Sequence, residues 1–205
     1  PYMFFISFIF WLLCLDSKIG RLDGIVLISL LIIFLIYSIT TAKDKSNPIV
    51  LAKPSNINIL KNFFYIVIGI VMLSFGANFV VQEAIIMAEK IGLSQTFIGI
   101  SIVALGTSLP ELATSAVAAA KGESDISVGN VVGSNLFNIC LVMGIVGLFN
   151  PMTIDKTLHY FQFPFMMFIC IVLWLIAYFN QGISKKTGYF FITLFIIYIL
   201  ISYFK

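Results

Sequence analysis

Residues 96–115 read Thr96-Phe-Ile-Gly-Ile-Ser-Ile-Val-Ala-Leu-Gly-Thr-Ser-Leu-Pro-Glu-Leu-Ala-Thr-Ser115, and a second run of similar character follows at Ser127-Val-Gly-Asn-Val-Val-Gly-Ser-Asn-Leu-Phe-Asn138. Both are apolar runs studded with glycines, hydroxyls and amides. In the first, Pro110 has no N–H, and its ring pushes away the carbonyl of Gly106, four residues earlier. Gly106 makes the backbone there easy to bend. Carbonyl oxygens around Ala104–Thr107 are therefore expected to lose their helical partners. Immediately beyond the break stands Glu111, the one acidic residue placed near the middle of an apolar run.

The surrounding sequence says which solvent this break meets. Of 205 residues, 60% are hydrophobic, only 10% are charged and 21 are Phe, with a mean hydropathy of +1.09. A soluble domain carries roughly 25% charged residues, and a chain with so few could not cover a surface facing water. The lipid bilayer must be its solvent. The net charge of +3 comes from basic residues in short gaps between apolar runs, not from a stripe, so nucleic acid is excluded as a partner. Cys14, Cys140 and Cys170 lie in apolar runs without metal-ligand spacing and read as small packing residues. The chain opens on Pro1, which is read as the start of a fragment or a processed chain.

Seven apolar segments are expected to span or partly span the membrane: 2–15, 23–41, 62–89, 94–121, 127–149, 158–180 and 188–204. The first, at about 21 Å as a helix, is too short for a core of about 30 Å. The stretch 42–61, with Pro48, Pro54 and four lysines, reads as an aqueous loop. Of 12 lysines and arginines, Lys43, Lys45, Lys53, Lys61, Lys121, Lys185 and Lys186 fall on the side of that loop. Lys18, Arg21, Lys90, Lys156 and Lys205 fall on the other. The bias favours the loop side as cytoplasmic. His159, at a span start, is expected to snorkel.

In a bilayer, open carbonyls cost several kcal/mol unless protein, water or an ion satisfies them. A buried carboxylate costs about 2.5–3.5 kcal/mol even on lenient insertion scales. Thr107 and Ser108 lie four and three residues before Glu111, so hydroxyls and carboxylate share a helical face. Hard oxygen ligands, one of them anionic, suit Na⁺ or Ca²⁺. In the second run Asn130, Ser134 and Asn138 recur every four residues as one polar stripe, either bonding to a neighbouring helix or supplying ligand oxygens that face Glu111. Gly129 and Gly133 permit close helix approach. Asn135 lies off the stripe. Broken helices with open carbonyls are the usual signature of a transporter ion site.

At these residues the sequence resembles the second α-repeat of the calcium/cation antiporters, the sodium/calcium exchanger superfamily. The resemblance is dense over 94–140. It implies an all-α integral membrane protein, a multi-span helical bundle with broken helices, of which this chain is one half of an inverted-repeat antiporter. Residues 1–41 would end the first membrane half, 42–61 would be the cytoplasmic linker, and 62–205 the second five-helix half. The resemblance further implies that Glu111 is the acidic ligand shared by Ca²⁺ and Na⁺. Thr107 would serve through carbonyl and hydroxyl, Ala104 through its carbonyl, and Ser108 and Ser134 as Na⁺-site hydroxyls. Asn138 falls where some members have Asp.

The expected activity is exchange of Ca²⁺ for Na⁺ by alternating access, with Ca²⁺/H⁺ exchange as the alternative. No cofactor is expected; Ca²⁺ and Na⁺ enter as transported ions. The partners are the lipid bilayer and a missing N-terminal half carrying the first α-repeat, and the short central loop favours a prokaryotic plasma membrane. An intramembrane enzyme is disfavoured, since no His-Glu-x-x-His, no Gly-x-Ser-x-Gly and no intramembrane aspartate pair occurs. A purely structural subunit would need neither the break nor the acid.

Overall fold

The structure, a computed structural model, describes residues 2–45, 58–180 and 183–204. Long runs of Ile, Leu and Phe form helices because lipid offers backbone groups no hydrogen-bond partner, so each must be satisfied within its own segment. Among the described residues, five helices are long and apolar enough to cross a membrane, and a bent pair makes a sixth. Residues Tyr2–Asp16 form a shorter apolar helical stretch. The chain divides into two compact units, Pro1–Val50 with Val131–Ile183, and Leu51–Asn130 with Ser184–Lys205.

The first unit contains α1 (Tyr2–Leu13), α2 (Arg21–Lys45), the later part of α7 (Ser124–Phe137), α8 (Met143–Phe149) and α9 (Gln162–Asn180). A five-residue π-helical segment, Asn138–Val142, joins α7 to α8. Ile6, Leu31, Leu136 and Cys140 form one buried cluster, and Cys14, Ile19 and Phe163 another. All three cysteines are buried and free, which fits the expected packing role. Helices α2 and α8 cross with their backbones almost touching: a Cβ placed on Gly24 would lie 2.5 Å from the Gly144 carbonyl oxygen. Between these elements, β1 (Lys18–Ile19) pairs antiparallel with β2 (Met152–Thr153). Ile154 extends the clip by donating its N–H to the Ser17 carbonyl at 2.8 Å.

His159 does not snorkel. It sits half-buried in a 3₁₀ turn, Lys156–Tyr160, where its Nδ1 accepts from the Trp11 indole N–H at 3.3 Å. Its ring packs on Phe163 at 5.1 Å between centroids. An aromatic neighbour with a donor to offer competes successfully with interfacial water.

The second unit contains α3 (Ile59–Lys90), α4 (Gln95–Ile98), α5 (Ala104–Thr107), α6 (Leu109–Ala120), the start of α7 and α10 (Lys185–Tyr203). A second π segment, Gly99–Val103, separates α4 from α5. Asn58 caps α3 by accepting from the Lys61 N–H, and Ser184 caps α10 by accepting from Thr187. Gly92 and Gly122, both at φ +80°, close the ends of α3 and α6. The expected loop 42–61 is shorter than its composition suggests, because α2 runs to Lys45 and α3 starts at Ile59. The rest of it lies outside the described residues.

Candidate cation site

The expected interruption is present. The pieces Gly99–Thr107 and Leu109–Ala120 meet at 50°, and Ser108 between them has φ −93° and ψ 2°, off the helical values. Pro110 falls in the first turn of α6, where a missing N–H is tolerated. The same missing N–H denies Gly106 the i+4 donor that would have carried α5 onward. Instead the Ser108 N–H turns back to the Leu105 carbonyl at 3.1 Å, and the Leu112 N–H takes the Ser108 carbonyl at 2.9 Å. Gly106 is buried against α3, where any Cβ would run into Val81.

Four of the expected ligand residues lie along this interruption. Ala104 opens α5, and its carbonyl accepts the Thr107 hydroxyl at 3.1 Å, so that oxygen is partly engaged rather than wholly open. Thr107 closes α5 and Ser108 is the corner; both side chains are exposed. Glu111 is half-buried in the first turn of α6, the end of a helix where backbone dipoles favour a negative group. Its Oε2 is buried and accepts no hydrogen bond from any described residue. A buried carboxylate oxygen without a donor is costly unless a cation or proton completes it. No group of three or more His, Cys, Asp or Glu side chains occurs among the described residues. The neighbouring residues along the interruption offer neutral hydroxyl and carbonyl oxygens, the donor type that suits a hard cation.

Ser134 and Asn138 belong to the first unit. Ser134 is half-buried, with its hydroxyl donating to the Val131 carbonyl at 3.2 Å. Asn138 is exposed and opens the π segment, whose wide turn sends the Met143 N–H to the Asn138 carbonyl. Asn135 spends its amide on the Val131 carbonyl at 2.9 Å, a local bond within its own helix. Gly129 and Gly133 are not at a close crossing: a Cβ on either would meet no described atom within 4 Å.

Asn130 takes the interhelical alternative. Its Nδ2 donates to the Glu111 main-chain carbonyl at 3.1 Å, to Thr114 Oγ1 at 2.9 Å and to Ser115 Oγ at 2.9 Å. Thr114 and Ser115, which the motif alone does not mark as functional, stand three and four residues after Glu111 on the same helical face.

A family model described as "Sodium/calcium exchanger protein" matches residues 61–204. The chain belongs to this family. The chain is 30% identical over 177 residues to the inner membrane protein YrbG of Escherichia coli, covering 82% of this chain and 54% of that protein. It is 41% identical over 109 residues to the sodium/calcium exchanger MaX1 of Methanosarcina acetivorans, covering 53% and 31%. A solved structure of the sodium-calcium exchanger NCX_Mj, soaked with Na⁺ and Sr²⁺, superposes with a TM-score of 0.73 at 29% identity. That match covers 97% of this chain and 63% of the exchanger. The chain thus spans about half the length of the first of these relatives and less of the second. It is a multi-pass, all-helical membrane protein of an ion-exchanger family.

Proposed function

We propose that the full protein is a secondary active antiporter, not an enzyme, that exchanges Ca²⁺ for Na⁺ by alternating access in a prokaryotic plasma membrane. One observation carries this reading: Glu111 presents a buried carboxylate oxygen that no described residue pairs, just past the corner of a proline-broken span and three and four residues after Ser108 and Thr107. A sodium/calcium exchanger among the relatives, an inner membrane protein and a solved sodium-calcium exchanger support the ions and the membrane. Ala104, Thr107, Ser108, Glu111, Ser134 and Asn138 are the proposed ligands. A further membrane half, beyond the part of the relatives that this chain matches, would bring a second carboxylate.

The coupling follows from electrostatics. Two carboxylates left empty in a medium of low dielectric repel each other and are poorly solvated, so the bare site crosses reluctantly. Ca²⁺ or several Na⁺ neutralise it and permit the conformational step. Protons would do the same, which makes Ca²⁺/H⁺ exchange the second reading. In proteoliposomes of the full-length protein, an outward Na⁺ gradient should drive ⁴⁵Ca²⁺ uptake, and Glu111→Gln should abolish it. Uptake driven by a pH gradient alone would favour the proton variant, and undiminished uptake in Glu111→Gln would refute the assignment of the acid.

A further inference from the structure

We infer that Asn130 is a positioning residue that fixes the helix carrying Glu111 for cation binding, an inference that rests on the proposed antiport. The stretch after the break has lost the continuity that would otherwise set its direction. Helix α6 restarts at Leu109 with a corner behind it, so its first turn needs an external anchor. Asn130, midway along α7, supplies one at the Glu111 carbonyl, Thr114 Oγ1 and Ser115 Oγ.

The orientation of the amide is forced. The Glu111 carbonyl can only accept, so the NH₂ end of Asn130 and not its oxygen must face α6. An amide nitrogen has two protons and here meets three acceptors, so at least one bond is shared and the amide is fully committed. The surrounding hydroxyls close the network. Thr114 Oγ1 donates to the Pro110 and Glu111 carbonyls at 3.0 Å each, and Ser115 Oγ reaches the Ser127 carbonyl of α7 at 3.5 Å. Ser115 is buried, so its partners are protein rather than solvent. Pro110, Glu111, Thr114 and Ser115 occupy one face of the restarted helix. Asn130 therefore restrains both the rotation of α6 about its axis and its slide along α7, the two motions that would change where the Glu111 carboxylate stands relative to the break at Ser108. Asn130 needs no contact with the ion to do this; it acts through the Glu111 main chain.

The test uses the full-length protein, with initial ⁴⁵Ca²⁺ uptake into proteoliposomes and Ca²⁺-dependent thermal stabilisation in detergent. Groups that orient a metal ligand typically shift affinity by about 10–100-fold when removed. Asn130→Ala should raise half-saturating Ca²⁺ within that range and shrink the Ca²⁺-induced rise in melting temperature, while the ion-free melting temperature changes little. Thr114→Val and Ser115→Ala each remove one acceptor and should give smaller shifts in the same direction; they keep the inference testable if Asn130→Ala does not fold. Asn130→Asp, which sets a carboxylate against the Glu111 carbonyl, should be at least as impaired as Asn130→Ala. Wild-type half-saturation in the folded variants would overturn the positioning role alone, as would a lowered ion-free melting temperature with unchanged Ca²⁺ dependence. A wild-type protein that neither takes up Ca²⁺ nor is stabilised by it would overturn the antiport reading and this inference with it.

Discussion

The two polar spans solve the same problem differently. The run through Gly106 and Pro110 breaks outright, with a 50° corner at Ser108. The run through Asn138 widens into one π turn and continues as α7 and α8 within one apolar stretch, Ser124–Phe149. Proline is the difference. Where a ring removes the N–H, no adjustment of the turn restores the lost bond, and the helix must restart. Where only amides and hydroxyls interrupt an apolar run, an i+5 bond suffices and the axis is kept. Polar residues in a membrane helix therefore do not by themselves mark a break; a missing donor does. The buried carboxylate oxygen that no described residue pairs lies beside the restart.

Removing that proline puts most strain on the contrast. Pro110→Ala returns a donor to the Gly106 carbonyl and lets α5 run into α6. Transport by the full-length protein should fall about tenfold or more, as small misplacements of reacting groups do in enzymes, while the melting temperature holds or rises. A transport-competent Pro110→Ala protein would mean that the corner is not needed. The next largest effect is expected in the second span. A Cβ on Gly147 would lie 2.9 Å from the Gly20 carbonyl oxygen and 2.8 Å from Ile19 Cγ2. Backbone cannot turn aside, so Gly147→Ala should destabilise by about 1–3 kcal/mol, read as a lowered melting temperature without altered ion affinity.

Gly106→Ala meets a side chain, Val81, instead. Its cost should fall at the lower end of about 1–3 kcal/mol, and Val81→Ala in the same protein should recover most of it. Equal losses in Gly106→Ala with and without the Val81 change would show that the contact does not set the packing of α5 on α3. The smallest effect lies just past the second span. The Thr157 backbone N–H, together with the Thr157 side chain, holds the exposed Asp155 carboxyl below its ordinary value of 3.8. The capped 3₁₀ turn is therefore supported at neutral pH, and that support is lost as pH falls through the lowered value. Amide signals of 156–160 should change only in acid, and Asp155→Asn should weaken that acid response.

Much of this could be read from the chain. The lack of charge required a bilayer, and Pro110 beside Gly106 located the corner to within two residues. The acid beyond it was legible because no other carboxylate sits mid-run. The π turns at Gly99–Val103 and Asn138–Val142 were not, since neither contains a residue that compels an extra backbone atom pair; packing of the finished span selects them. The four-residue interval of Gly129 and Gly133 permits a close crossing that no described residue makes there, whereas Gly24, Gly144 and Gly147 do make one. A small-residue interval says that a helix can be approached, whereas the approaching backbone is set by tertiary contacts. The Asn130 stripe left two outcomes open, and one of its partners, the Glu111 main-chain carbonyl, leaves no mark in the sequence at all.

The short pairing of Lys18–Ile19 with Met152–Thr153 also bears on solvent access. Turns that face water in a membrane protein ordinarily exchange their amide protons quickly. Here the Ile154 amide is held by the Ser17 carbonyl at 2.8 Å, next to a ladder closed at both ends by helices. Deuterium should enter these few amides far more slowly than the neighbouring positions 156–160, leaving a protected island in an otherwise fast-labelling rim.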